Sequence, residues 1–509
     1  MASLSSTEFL VLALCAVTTI AYTIYRRRTN RLPYAPGPPT RLLLGNILHI
    51  PTRDPWLKFT EWRRQYGDVV YLHGLGNSFL VLNSLDAVTD LLEKRGTVYS
   101  DRPVFTMVGE LMGLDRSMPL MMNDPKFRLH RKLMHSALNA DAVKKYQVIQ
   151  EDVAALLCRS MLDDPDSFIK NVRLAAGRVI MTMTYGLKVE IADSEYITDA
   201  DATMGLISRS MTPGAYLVDL FPQLKYLPRI WPFNFFAEGA AGRVRIEDFV
   251  TRPFKHVQRD IVAGDAQPSF TLDLLSESPL DGMNPVEYEH AVKWAAGALY
   301  GAGGETTYAT VLNCMMLMAL HPDKQRIVQA ELDAALGSDM PKIADRERLP
   351  YLQALIKEVM RWHPALPLGI AHCTAKDDVY NGHFIPKGTV VFPNVWCIAT
   401  SSAGKYPADQ FIPERFLESN ADASLADPAA WAFGFGRRIC PGKLLGENSL
   451  LSMIASILVS FDIAPSSEGL EPRFSDGLIS YPEHFKVQIT PRSDARVRAI
   501  RERAAHCRI

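Results

Sequence analysis

The chain has no Cys-x-x-Cys spacing, no block of like charge, no internal repeat and no glycine- or serine-rich linker beyond about residue 50. Each absence excludes something. Seven cysteines, at 15, 158, 314, 373, 397, 440 and 507, are scattered and odd in number, which argues against a zinc site or a disulfide framework and fits a reducing compartment. A net charge of −1 gives no reason to invoke nucleic acid as a partner. Without a linker, 509 residues with 48% hydrophobic content read as one large unit with a substantial core.

Charge is also missing from Phe9 to Tyr25, a mostly apolar run followed at once by Arg26-Arg27-Arg28 and Arg31. A cleaved signal would carry its positive charge before the apolar run, whereas here Glu8 precedes it. The run is at the short end of what spans a bilayer as a helix, and its flanking arginines would keep the remainder cytosolic. A signal peptide or an amphipathic surface helix are the other readings. Residues 1–31 are therefore expected to be a membrane anchor with a basic flank, and 32–50, with Ala35-Pro-Gly-Pro-Pro39, a stiff hinge. Residues 51–509 would form a single catalytic domain.

The segment with most chemistry is Phe433-Gly434-Phe-Gly436-Arg-Arg438-Ile-Cys440-Pro-Gly442, one cysteine in a glycine-studded loop before a helical pattern. Glycines let the backbone turn tightly and approach a flat macrocycle closely, and backbone N–H groups near a sulfur damp its charge. Arg438 is placed for a carboxylate. Taken alone, the loop also reads as one that buries a structural cysteine.

Phe-x-x-Gly-x-Arg-x-Cys-x-Gly, complete at 433 to 442, resembles the haem-binding signature of the cytochrome P450 monooxygenases. That resemblance implies a mainly α fold with a small β-region, haem b as cofactor and Cys440 as axial thiolate ligand to the iron. Three further motifs lie upstream or alongside. Ala302-Gly-Gly-Glu305-Thr306-Thr307 sits in an apolar stretch from about Tyr288 to His321 that reads as one long helix. Its glycines, each costing about 1 kcal/mol in a helix interior, predict a distorted turn with room beside it. Thr306 resembles the residue that hydrogen-bonds dioxygen and Glu305 the acid that relays protons; a threonine bonded back to its own turn is the plainer reading. Glu358-Val-Met-Arg361 places opposite charges on one helix face. With Arg415 of Pro413-Glu-Arg415-Phe416 it resembles the family's buried structural triad. Phe127-Arg-Leu-His-Arg131 resembles a Trp-x-x-x-Arg motif with phenylalanine for tryptophan, and by the same resemblance Arg131, Arg438 and His372 would serve the haem propionates.

The resemblance covers essentially the whole chain. It implies electrons from NADPH through a separate NADPH–cytochrome P450 reductase, with cytochrome b5 as a second donor. It also implies an endoplasmic reticulum membrane location, single-pass with lipid contact, and a monomer. The coarse pattern between hinge and haem loop fits: a helix at Trp56 to Tyr66, short strands near Val69 to Tyr71 and Phe79 to Leu82, and a β-region near Val379 to Phe392. By family position the substrate pocket would draw on Phe105 to Met122, Met204 to Phe236, Leu299 and Tyr300, Ala365 to Ile370 and Leu478 to Tyr481. These are largely apolar, which suggests a hydrophobic small molecule. Leu91-Leu-Glu-Lys-Arg95 and Asp378-Val-Tyr-Asn-Gly382 look most like fungal members that tailor secondary metabolites. A P450-type isomerase or dehydratase that does without O2, and a non-enzymatic haem protein, are the alternatives.

Overall fold

The computed structural model describes residues 32–41, 44–212, 214–227, 234–279, 282–401, 405–417 and 426–508. The expected anchor at 9–25 and its basic flank lie outside the described residues. Among the described residues no helix is long and apolar enough to cross a membrane.

The body is helical. Its longer helices are α1 (Pro55–Tyr66), α2 (Pro125–Leu138), α3 (Gln147–Asp163), α4 (Phe168–Tyr185), α5 (Glu195–Ser210), α6 (Phe235–Ala263), α7 (Pro285–Leu320), α8 (Pro322–Leu336), α9 (Pro350–Trp362), α10 (Lys443–Ser460) and α11 (Asp494–Ala505). α7 starts where the sequence permits: Asn284 accepts from the Val286 N–H at 2.8 Å and Pro285 occupies the first turn, where a missing N–H costs nothing. On either side of residues 302–306 it is apolar all round and buried, as expected of a helix surrounded by others. It runs beside α4, α6 and α10, and together they carry the main core.

The β-region is small. A four-stranded sheet runs in the order β1 (Val69–Gly74), β2 (Asn77–Leu82), β6 (Val390–Pro393), β3 (His372–Cys373), with β2 and β6 parallel and the other pairs antiparallel. β4 (Asp378–Tyr380) and β5 (His383–Ile385) form a hairpin whose turn, Asn381 at φ 49° and Gly382 at φ 79°, lies in the left-handed region that tight hairpins require. β7 (Phe461–Pro465) pairs with β8 (Val487–Pro491).

A second core beneath the sheet joins Leu80, Leu82 and Val391 to Trp431 and Phe435. The loop that presents Cys440 is thereby fixed to the sheet side of the molecule.

The expected distortion of α7 is absent: the helix is unbroken through its glycines. They answer packing instead. A Cβ at Gly303 would lie 2.4 Å from Ile180 of α4, and one at Gly301 3.2 Å from the Met204 sulfur of α5, while Gly304 has open space beside it. The room predicted from the sequence is there without the bend.

Candidate haem-thiolate site

Cys440 is held by its backbone, its N–H donating to the Phe433 carbonyl at 2.7 Å. The turn needs its glycines for different reasons. Gly434 (φ 77°) and Gly436 (φ 52°) adopt left-handed backbone, and a Cβ on Gly436 would meet the Leu92 carbonyl oxygen at 2.4 Å. At Gly442 the backbone N–H points to the sulfur, and a Cβ there would stand in ordinary contact with Sγ at 3.8 Å. Solvent reaches Cys440, yet surrounding protein pushes its thiol above the ordinary value against the Gly442 amide and Arg131. Accessible and desolvated at once, the sulfur sits at the floor of a recess.

Two buried arginines, the half-buried Arg131 and a buried histidine stand near that sulfur. Arg438, 8% exposed, donates to the carbonyls of Ser100 (2.8 Å) and Met121 (2.6 Å) and lies 3.8 Å over the Phe127 ring. The phenylalanine that replaces the family's tryptophan therefore stacks a cation. Arg131 donates to the Ile439 carbonyl at 2.5 Å, beside the cysteine. His372, buried, makes a 2.8 Å contact between Nδ1 and the Tyr99 carbonyl. A carbonyl only accepts, so Nδ1 carries the proton and Nε2 is left bare in the neutral ring.

Sequence reasoning missed one member of this group. Arg102, 4% exposed, donates to the carbonyls of Pro119, Ile370 and Ala371, each at 2.7 Å. A lone arginine in a loop carries no motif; only the fold brings it here. Burial and the charge of Arg438 lower the Arg102 pKa, burial pulls Arg438 down to about 10, and burial followed by the charges of Arg102 and Arg438 depresses His372. The described hydrogen bonds of Arg102, Arg131 and Arg438 all end on carbonyl oxygens, none on a carboxylate. Buried charges normally come paired, so the cluster suits a dianionic ligand. A thiol facing a recess with such cations beside it fits iron protoporphyrin.

On α7 the two candidate proton-handling residues diverge. Thr306 Oγ1 donates to the Ala302 carbonyl of its own turn at 3.0 Å, next to the space at Gly304. Glu305 turns to α4, where Arg173 donates to it at 3.0 Å while also pairing with Asp201 of α5 and covering the Tyr308 ring. Burial raises the Glu305 pKa, Arg173 lowers it and Asp201 raises it again. Neither Arg173 nor Asp201 was singled out by sequence.

Away from the recess, Glu358, Arg361 and Arg415 are brought together with almost no exposure. Glu358 Oε2 is 2.7 Å from Arg361 Nε and 3.0 Å from Arg415 Nε. The segments expected to wall a pocket also meet. Asp219 accepts from the Met107 N–H, Met204 abuts Gly301, the Ser480 N–H reaches the Ala365 carbonyl, and Tyr481 packs edge-on to Tyr308. A surface depression of about 660 Å³ lined by His321, Trp362, Tyr406 and Phe411, and one of about 190 Å³ beside Tyr380 and His383, contain none of these groups.

Fold and recess thus define a haem-thiolate protein, and comparison with known proteins narrows this. Residues 35–489 match the family model described as Cytochrome P450. The chain is similar to cytochrome P450 monooxygenase claR of Ampulloclitocybe clavipes (36% identity, covering 96% of this chain and 92% of the relative) and to cytochrome P450 monooxygenase COX2 of Coprinopsis cinerea (36%, 96% and 95%). It is likewise similar to cytochrome P450 monooxygenase 208 of Postia placenta (37%, 95% and 96%). The chain belongs to the cytochrome P450 family, and it is a fungal-type oxygenase that uses haem iron.

Proposed function

We propose that this protein inserts one oxygen atom from O2 into a hydrophobic small molecule in fungal secondary metabolism. It would use haem b and NADPH-derived electrons from NADPH–cytochrome P450 reductase, with cytochrome b5 as a second donor. The observation that carries the reading is the recessed Cys440 sulfur beside buried Arg102 and Arg438, whose described hydrogen bonds end on carbonyl oxygens rather than carboxylates. Cys440 would bind the iron, and Arg102, Arg131, Arg438 and His372 the two propionates. His372, bare at Nε2, would take up a proton as the carboxylate arrives, since an adjacent anion favours the imidazolium.

When bound, thiolate-ligated haem supplies reductive activation of dioxygen. The chain does the rest. Thr306, beside the opening at Gly304, would trade its bond to Ala302 for one toward the oxygen site. Glu305, the nearest acid in sequence, would pass protons inward once Arg173 releases it. The apolar wall from Met107 to Met121, with Met204 and Tyr481, would hold substrate and exclude water. The run at 9–25 would anchor the protein in the endoplasmic reticulum membrane with residues 51–509 in the cytosol, as a monomer.

Thr306→Ala in the haem-loaded enzyme tests this, assayed with reductase and panels of terpenoid, polyketide and indole precursors. Product per NADPH should fall about tenfold or more, with hydrogen peroxide rising in its place and the thiolate-type carbon monoxide spectrum unchanged. Unchanged turnover would favour a rearrangement or dehydration that makes no use of O2.

A further inference from the structure

Folding brings Leu91-Leu-Glu-Lys-Arg95 and Asp378-Val-Tyr-Asn-Gly382 into one contact, although Arg95 and Asp378 stand 283 positions apart in the chain. Arg95 Nη1 donates to Asp378 Oδ2 at 2.9 Å and to the Val379 carbonyl at 2.7 Å. One turn on, the Tyr99 hydroxyl donates to the same Asp378 oxygen at 2.9 Å. Tyr380 reaches Asp90 at 3.2 Å, and the Arg95 guanidinium lies 5.4 Å from the centre of the Tyr380 ring. The β4–β5 hairpin thus grips the helical run 85–99 by its side chains, with Asp378 at the centre of the grip. Burial works to raise the Asp378 pKa, yet Arg95, the Val379 amide and the Tyr99 hydroxyl hold it below the ordinary carboxylate value.

The same run meets the cysteine loop and one of the cations near it. The Leu92 carbonyl oxygen stands where a Cβ on Gly436 would press, and a Cβ on Gly96 would lie 3.7 Å from the Arg437 side chain. At the end of the run the Tyr99 carbonyl accepts from His372 Nδ1 and the Ser100 carbonyl from Arg438 Nε, each at 2.8 Å. Backbone bonds from Ala375 to Val98 and from Cys373 to Asp101, each 2.8 Å, lay residues 98–101 along β3 at the end of the four-stranded sheet. Those bonds fix where the segment runs; the Tyr99–Asp378 bond fixes how its last turn is rotated.

We propose that Asp378, with Arg95 and Tyr99, is a positioning residue for haem: it sets where the Tyr99 and Ser100 carbonyls stand, and so how His372 and Arg438 are presented to the two propionates. The inference rests on the haem-thiolate reading of the recess.

The test uses the haem-loaded full chain and resonance Raman spectroscopy, in which propionate bending bands and the iron–sulfur stretch report the two ends of the site separately. Asp378→Ala should shift the propionate bands and leave the iron–sulfur stretch in place, because Cys440 is held by the Phe433 carbonyl and the Gly442 amide rather than by the run. Haem retention, followed by transfer to apomyoglobin, should weaken by about threefold or more, the scale of one net hydrogen bond. Tyr99→Phe removes one bond and no charge; it should move the same bands in the same direction, and it alone carries the test should Asp378→Ala fail to fold. The double variant should add nothing to Asp378→Ala, because both changes act on one carboxylate, and Asp378→Asn, which keeps an acceptor, should fall between Asp378→Ala and wild type. Unmoved propionate bands, a joint shift of those bands and the iron–sulfur stretch, or additive single effects would overturn the proposal. A wild-type carbon monoxide spectrum that is not of the thiolate type would sink the haem-thiolate reading itself, whereas a thiolate-type spectrum in every variant with unmoved propionate bands sinks this inference alone.

Discussion

Glu358→Gln is the perturbation whose consequence follows most directly from the coordinates. Glu358 lies between two guanidinium groups, with Oε1 2.9 Å from Arg361 Nη2 and also accepting the Ile412 N–H at 2.7 Å. The arginines otherwise rest on carbonyls of Pro407, Ala408 and Gln410. The amide keeps the shape and removes the negative charge that lies between the two buried arginines. Breaking a buried pair so that charge is left uncompensated costs about 3–5 kcal/mol. Arg415→Met is milder, because the bidentate Arg361–Glu358 pair it leaves is neutral. Global melting is a blunt readout: at about 2.1 cal/mol/K per residue, a domain of this size loses only about one degree per kcal/mol. Hydrogen exchange is sharper, since residues 405–417 hang on the triad. Protection at the Ile412 amide should fall by about two to three and a half decades in Glu358→Gln, about 3–5 kcal/mol at 1.4 kcal/mol per decade, and by less in Arg415→Met. Equal effects from the two variants, or uniform loss of protection across the chain, would refute the charge argument.

Arg102→Leu should act with opposite signs in two states. The haem-free chain, in which Arg102 is buried on carbonyls alone, should melt no lower than wild type, while haem retention measured by absorbance should weaken by about tenfold or more; equal destabilisation of both forms would show that Arg102 is only structural. Asp219 supplies a pH test. Burial pushes its pKa up to about 6 against the Met107 and Thr106 amides that it accepts. A folded pKa above the unfolded 3.8 means the native state takes the proton first, so wild type should gain stability over Asp219→Asn as pH falls through about 6 and stop gaining near 3.8. A difference flat from pH 7 to 4 in thermal melts would contradict this.

What could be read from the sequence was local. The Cys440 loop, the Glu358–Arg361 pair and the long α7 are spelled within a dozen residues of one another or by a single periodicity, and each lies where the chain said it would. The parts not legible join single polar residues far apart in sequence. Arg102 meets Ile370 across 268 positions and Ser208 meets Leu478 across 270, and before folding neither differs from a surface residue. The glycines of α7 misled for another reason: a helix interior tolerates glycine when the neighbours press close. Ile180 and Met204 do press close, and the helix runs through its glycines without a break.

Adjacent positions in a motif are not adjacent in function. On an α-helix successive side chains point about 100° apart, and Glu305 and Thr306 here take different partners. Thr306 looks along its own turn, whereas Glu305 is held by an arginine on a different helix. That arginine is shared with Asp201, whose side chain is 53% exposed against 12% for Glu305. The two carboxylates therefore lose unequally if Arg173 moves. Asp201 would still be stabilised by water; Glu305, already raised by burial, would have only a proton to neutralise it. If Glu305 relays protons as proposed, how readily it does so is set as much by Arg173 of α4 and Asp201 of α5 as by the motif on α7.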